Sequence, residues 1–527
     1  MKKKIFLMIL IEVGKKIKIK QMTQLTFGDK RLQFDGGTYL TIPTPDLSFK
    51  ITVDTTKAGS ASDTIIIPTT GSGFDCEVFW GDGSSNTYTG TPGLTTIQHT
   101  YDVGGIKQIK IVGTFPRIYF NNTGDKLKLI SVDNWGNYGD GVSIQNSAFR
   151  GCANNISIAD DWKLDTVLIN GSWMFASTKI TSLPDSMLLS SLVDGERMFY
   201  LGNLISLPPN MTLDNLEHAE YMFTNCSITS LPSNMTLDNL ISFNDFGYMF
   251  QGNKLESLPY GMTLSGLTSG GSLFRDNLIT ELPPEMTLSG LIDGGSLFNG
   301  NLLSSLPSGM TLDNLVSAVS LFSGCDISSL PSGMTLPALV DGGGMFYDNL
   351  LSSLPSGMTL DLLEGGNSMF RDNPLTELPS GMTLPVLGDG YWMFSNTLLT
   401  SLPDGITLSL LVRGERMFYA SQLLSLPSGM TLSLVTETDY MFWGCSITSA
   451  LSLNLASLTN GNGMFGASCI LNTNDYSNLL VRTEANNINT GVVFQGGSSK
   501  YNTSGETARD LLTSRSPGWT ISDGGLA

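Results

Sequence analysis

Apolar residues return along most of this chain on one fixed beat. Fourteen phenylalanines mark it, from Phe149 and Phe175 through Phe298 to Phe442 and Phe465, and ten of the thirteen intervals are 24 residues. Around each phenylalanine, apolar side chains fall one residue before (Met or Leu) and then five, eight, twelve, fourteen and seventeen residues after. The residue eight after is a leucine that precedes proline in eleven repeats, from Leu183-Pro184 to Leu426-Pro427. A unit of this length cannot bury its own apolar face and must stack on its neighbours. The pattern predicts a mainly β or irregular solenoid of about 13 coils over residues 171–470. Each coil should hold one or two very short strands around Leu-x-x-Leu-Pro and Met-Thr-Leu, with a turn or short helix leading into Met-Phe. At the interstrand spacing of about 5 Å the array would be roughly 60 Å long.

One polar column runs inside this frame. Three residues after the phenylalanine stand Asn253, Asn277, Asn301, Asn349 and Asn373, and in other repeats Cys152, Cys226, Cys325 and Cys445. A small polar side chain there can bond the backbone of the adjoining coil, and a thiol can replace it as a small buried group. The phrase Met-Phe-x-x-Cys/Asn-x-Leu/Ile-x-x-Leu-Pro resembles the BspA-like leucine-rich repeats of surface proteins, over about residues 149–470. The long Met-Thr-Leu-x-x-Leu segment and glycine pairs such as Gly294-Gly295 depart from that pattern, so the face that carries a sheet stays open. Cys152, Cys226 and Cys325 lie three or more coils apart, beyond the roughly 7 Å reach of a disulfide. Cys445 and Cys469 fall in successive coils, where either a bridge or two thiols fits.

Ahead of the array the period changes to two. A leader at 1–21 precedes short strands expected at 22–48, with a turn at Asp35-Gly36-Gly37. Phe49-Lys50-Ile51-Thr52-Val53 then opens a unit of alternating strands that runs to about residue 120. It holds Trp80-Gly81-Asp82-Gly83-Ser84 and His99-Thr100-Tyr101, and in these residues it resembles a PKD-like, immunoglobulin-like β-sandwich. The resemblance implies that Asp82 and His99 shape a turn and that the domain is a spacer or weak binding module. Residues 121–170 read as a junction and N-terminal cap, whose Asp133-Asn134-Trp135 stretch fits a simple loop better than a calcium site. From residue 471 to 527 the period is lost. Thr503-Ser504-Gly505-Glu506 reads as a capping-box helix start, and Trp519-Thr520-Ile521 as a closing strand. The segment resembles the end modules that follow such repeats in bacterial surface and phage structural proteins.

Composition narrows the partners. Acidic residues exceed basic ones by 47 to 29, a formal charge of −18. This argues against nucleic acid and against anionic membrane surfaces. The leader carries three lysines and a seven-residue apolar run but no small-residue cleavage site, so a secretion signal and an upstream mis-start both fit it. No segment is long enough to insert in a membrane.

The chain holds only two histidines, and no nucleotide loop, nucleophile elbow or zinc spacing is present. No catalytic residue, metal or cofactor is expected, although a cryptic glycosidase using carboxylates of neighbouring coils is conceivable. A different column varies in an informative way. Two residues before the phenylalanine stand Trp173, Arg197, Tyr221 and Tyr248, then mostly Ser or Gly, then Trp392, Arg416 and Tyr440. These types dominate binding hot spots, and they equally well fill space beside the Met-Phe core. The expected function is non-enzymatic surface binding of a cell-surface protein or glycan, as in a phage tail fibre or bacterial adhesin. The alternative is an architectural component that contacts only other virion or appendage subunits. Either places the protein outside the cell or on a virion.

Overall fold

The computed structural model describes residues 46–527 apart from 91–93, 155 and 238–246, together with the backbone of four short strands before residue 42. Most of the leader and the Asp35-Gly36-Gly37 turn lie outside the described residues. The chain is mostly β with few helices and forms no closed barrel. Strands β1 (Ile11–Val13) and β2 (Lys16–Lys18) pair antiparallel, as do β3 (Arg31–Phe34) and β4 (Thr38–Thr41).

The period-two region forms two sheets. Strands β5 (Phe49–Asp54), β7 (Asp75–Phe79), β8 (Ser85–Thr89) and β10 (Ile106–Thr114) lie in one, and β6 (Thr64–Pro68) pairs with β9 (Thr96–Thr100) in the other. Alternate residues, among them Phe49, Ile51, Ile65, Ile67, Ile109 and Ile111, bury in a common core. The first sheet continues into the segment after Phe120. Strand β11 (Leu129–Asn134) pairs antiparallel with β5, and β12 (Ser157–Ile158) pairs parallel with β11. The Asp133-Asn134 stretch is therefore a strand and not the loop the sequence suggests. Its polar groups are engaged within the protein: Asp133 accepts from Thr52 Oγ1, and Asn134 Nδ2 donates to the Asp46 carbonyl.

A buried ion pair ties this region together. Lys128 is fully buried and donates to the carbonyls of Ala61 (2.8 Å) and Thr64 (2.7 Å) and to Ser60 Oγ (2.9 Å). Asp125, 3.8 Å away, accepts from the amides of Ser60 and Ile66. Every charge removed from water here has hydrogen-bonding partners, the condition under which a buried pair persists.

Aromatic packing then carries the core into the repeats. Tyr138 meets Phe49 at 4.6 Å and Phe149 at 6.0 Å, and Phe149 stacks on Phe175 at 5.4 Å. From there every phenylalanine of the column stacks on the next, with centroids 5.4–6.0 Å apart through Phe465. The repeats are thus superposed in parallel, one Phe per level.

The hydrogen bonds that join levels do not lie in regular strands at Leu-x-x-Leu-Pro or Met-Thr-Leu, where short strands are expected. Many lie in the turn entering Met-Phe. Alternate amides there reach the next repeat, as Trp173 to the Glu196 carbonyl and Phe175 to that of Met198, while the amides between close tight turns on their own repeat, as Met174 to Gly171. Left-handed residues placed at intervals along the turn, such as Trp173 and Ser177 in one repeat, aim the amides this way. A second line runs the other way, as Ile292 to the Thr268 carbonyl and Leu302 to that of Ile279. Four residues before the phenylalanine most repeats hold glycine or alanine, and in the glycine repeats there is little room for more. A Cβ on Gly366 would meet Met393 Sδ at 2.7 Å, and one on Gly390 would meet Met417 Sδ at 2.9 Å.

The Asn/Cys column is buried inside the stack. Asn301 Nδ2 donates to the carbonyls of Phe274 (2.9 Å) and Phe298 (3.0 Å), and its Oδ1 accepts from the Ile279 amide (3.1 Å). Asn277 and Asn373 repeat these bonds one and three levels away, and Asn253 and Asn349 also bond to the preceding repeat. In the thiol repeats Cys226, Cys325 and Cys445 point Sγ at the corresponding carbonyl, 3.3–3.4 Å away. All six cysteines, Cys152 and the Cys445 and Cys469 neighbours included, are buried free thiols.

Beyond the last full repeat, β13 (Asn460–Phe465), β14 (Val493–Gly496) and β15 (Thr520–Ser522) form a parallel sheet. Helices α1 (Thr473–Asn486) and α2 (Thr503–Thr513) connect them. The cap of α2 is Asn502, whose side chain accepts from the Ser504 and Gly505 amides. The helix thus starts one residue earlier than the Thr503 capping box would have it, because Asn is the stronger acceptor for these two free amides.

Candidate functional site

The column two residues before the phenylalanine sits where the backbone turns left-handed. Trp173, Arg197, Tyr221, Tyr248, Trp392, Arg416 and Tyr440 all have φ between 53° and 62°. That conformation brings Cβ against the backbone and costs a residue other than glycine about 1–2 kcal/mol. Between the two groups the same position holds Ser320, Gly344 and Ser368, also left-handed. In the repeats of Phe274 and Phe298 a glycine one residue earlier, Gly271 or Gly295, takes the positive φ instead. The backbone itself is therefore satisfied by small residues, and the large side chains answer another need.

All seven large side chains are half-buried, and the structure gathers them into two ladders. In the first, the Arg150 guanidinium lies 3.9 Å from the Trp173 ring centre and that of Arg197 lies 5.1 Å from it. Arg197 also lies 4.4 Å from the Tyr221 ring, which stacks on Tyr248 at 4.7 Å. In the second, Arg371 and Arg416 flank Trp392 at 4.2 and 5.0 Å, and Arg416 lies 5.0 Å from Tyr440. Tyr200 and Tyr419 meet Trp173 and Trp392 from the side. The Tyr440 ring rests on Gly463, where a Cβ would come within 2.5 Å of it. Both tryptophans have guanidinium groups over their faces, so ring edges, tyrosine hydroxyls and in-plane N–H groups are what the ladders offer to solvent.

Carboxylates border each ladder. Glu196 pairs with Arg197, Arg371 with Asp372 (3.1 Å), and Arg413 with both Asp389 (3.3 Å) and Glu415 (3.2 Å). Burial pushes the Asp439 carboxyl above the usual carboxylate range, and the negative charges of Glu437 and Glu415 add to this. By contrast, the guanidinium groups of Arg150 and Arg416 have no hydrogen-bond or ion-pair partner among the described residues.

Several of these residues escaped the sequence reading. Arg150, Arg371, Tyr200 and Tyr419 follow the phenylalanine by one residue and belong to a different column. The signal that finds them is a repeated string: Gly-Glu-Arg-Met-Phe-Tyr occurs at 195–200 and at 414–419, each preceded by Trp-Met-Phe one repeat earlier.

Between the ladders a shallow groove is lined by Asp341, Glu364 and Asp389 with Gly343 and Gly365. Asp341 accepts from the Gly343 amide and Asp389 from the Tyr391 amide, each at 3.0 Å, so these carboxylates close local turns. Among the described residues no group of three or more His, Cys, Asp or Glu is placed to hold a metal. In the N-terminal sheets His99 Nε2 lies 2.7 Å from Asp82 and its ring stacks on Trp80, while Asp82 also binds the Ser84 amide and hydroxyl. Those bonds hold the Asp82 carboxyl well below its ordinary range.

No protein-family model matches the chain, and no curated protein matches it significantly.

Proposed function

We propose that this is a non-enzymatic surface protein that binds a cell-surface glycan or protein through the ladder face of a leucine-rich-repeat-type solenoid. On this reading residues 149–470 are BspA-like coils, the PKD-like sheets at the N-terminus are a spacer, and the protein works outside the cell or on a virion. The observation that carries the reading is the column of Trp, Arg and Tyr held in left-handed backbone where serine and glycine suffice. These residue types concentrate binding energy, and the column holds them half-exposed. No helix among the described residues is long and apolar enough to cross a membrane.

A second, architectural reading draws on the same rings, because each is packed against its neighbours in the ladder. Whole-cell pull-down with the full chain separates the two. Binding that falls at least tenfold in Trp392→Ala and Tyr440→Ala supports recognition. Unchanged binding in both variants would remove the ladder face from the function.

A further inference from the structure

The two ladders are copies of one constellation. Arg150, Trp173, Arg197, Tyr200 and Tyr221 at the N-terminal end correspond in order, type and repeat position to Arg371, Trp392, Arg416, Tyr419 and Tyr440. The four pairs from Trp173/Trp392 onward are each separated by 219 residues, and the leading arginines by 221. The geometry repeats as well: Arg–Trp separations are 3.9 and 5.1 Å in one copy and 4.2 and 5.0 Å in the other. Nine phenylalanine steps of 5.4–6.0 Å lie between them, which is roughly 50 Å along the stack. Among the described residues the intervening levels carry no such constellation.

Each copy interleaves fixed donors and acceptors. A guanidinium stacked on a ring keeps its in-plane N–H groups at the edge, and Arg150 and Arg416 leave theirs without a protein acceptor. The adjoining residues of the repeats supply Glu196 and Glu220 at one end and Glu415 and Asp439 at the other. One oxygen of Asp439 has no hydrogen-bond partner. Carboxylates at both sites and a chain charge of −18 oppose an anionic ligand, while the arginines oppose a cationic one. A ligand that both accepts and donates, and carries no charge, meets neither penalty.

We infer that the two constellations are equivalent binding sites for a neutral, polyhydroxylated polymer, a polysaccharide whose vicinal hydroxyls bond the arginine N–H groups and the flanking carboxylates. This rests on the reading of the ladder face as a recognition surface. Two such sites on one rigid stack make the chain bivalent, so a dense or long glycan engages both and dissociates slowly.

The test uses the full chain over immobilised glucan, mannan, galactan and an N-acetylglucosamine polymer, with alginate and heparin as carboxylate and sulfate arms, each at sparse and dense loading. Two paired variants remove one end each: Trp173→Gly with Arg197→Gly, and Trp392→Gly with Arg416→Gly. Glycine takes the left-handed backbone without strain, and continued protection of the six buried thiols from a thiol-reactive dye checks that the stack is intact. We expect binding to a neutral polymer at both loadings. On the dense surface either variant should bind at least tenfold more weakly, with sparse-surface affinity within about twofold; the combined variant should bind neither. Dense-surface binding equal to wild type in either variant overturns the paired sites. Preference for alginate or heparin overturns the neutral ligand, and binding to no polysaccharide overturns the inference entirely. In that last case, cell binding that the combined variant abolishes would leave the broader surface-recognition reading standing.

Discussion

Replacing Asn301 by alanine tests the physical basis of the stack. Asn301 is 1% exposed and bonds two levels at once: Nδ2 to the carbonyls of Phe274 and Phe298, Oδ1 from the Ile279 amide. The two carbonyls keep second partners, Asn277 Nδ2 at 3.0 Å and Cys325 Sγ at 3.4 Å. The Ile279 amide has no such reserve. An orphaned buried donor costs about 1–3 kcal/mol, and the small void left by the amide group adds about 1 kcal/mol. We expect Asn301→Ala to cost about 2–4 kcal/mol. Asn301→Cys should cost only about 1 kcal/mol, because the sulfur fills the space and accepts weakly. Stacked repeats open locally, so a global midpoint understates the effect. The direct assay is hydrogen exchange on the peptide spanning Ile279, where 2–4 kcal/mol corresponds to opening about 30- to 1,000-fold more often. Protection within threefold of wild type in the alanine variant, or equal losses in the alanine and cysteine variants, would refute the reasoning.

Two further substitutions or conditions probe other parts of the fold. Lys128→Met strands the buried Asp125 carboxylate and should destabilise the N-terminal sheets by about 3–5 kcal/mol; a urea midpoint unchanged from wild type would show that the pair contributes little. Burial raises the Cys325 thiol from 9.0 to about 11 and those of Cys226 and Cys445 to about 12. Unfolded thiols ionise first, so their contribution to stability is complete below about pH 9 and is lost as the pH rises through 11 to 12. Native protein at pH 8 should leave a thiol-reactive dye unreacted and release six equivalents once unfolded. Rapid native labelling would contradict the buried column.

The apolar frame was readable because a stack needs the same side chain at the same level in every repeat, and Phe149 through Phe465 meet that need in order. The Asn/Cys alternation was readable for the same reason. Backbone handedness was not, since Trp, Arg and Tyr carry no propensity for positive φ that would announce Trp173 or Arg416. Nor was the pairing of the ladders, because Arg150 and Arg371 occupy a neighbouring column and meet the tryptophans only across a level boundary. The Lys128–Asp125 pair joins strands and turns about 60 residues apart in sequence, and nothing local marks a lysine that will be enclosed by carbonyls. Strand β11 was misjudged because Asp133 and Asn134 look like loop residues until their partners on Thr52 and Asp46 are in place.

The variable column also explains its own all-or-none pattern. A lone tryptophan at the left-handed position would carry about 1–2 kcal/mol of backbone strain and expose both faces of its ring. A guanidinium over each face contributes about 0.5–1 kcal/mol, so Trp392 between Arg371 and Arg416 comes close to offsetting its strain, whereas Trp392 beside one serine would not. Arg416 depends in the same way on Trp392 and Tyr440, and Tyr440 on Arg416 and the open space above Gly463. Each large residue of a ladder thus shares its packing with its neighbours. Such a constellation is stable as a block and costly in pieces, and along this stack the column is either a full ladder or serine and glycine. Single substitutions within a ladder should therefore be strongly non-additive: removing Trp392 takes from Arg416 one of the two rings it packs on, and replacing both by glycine removes the backbone strain together with the contacts.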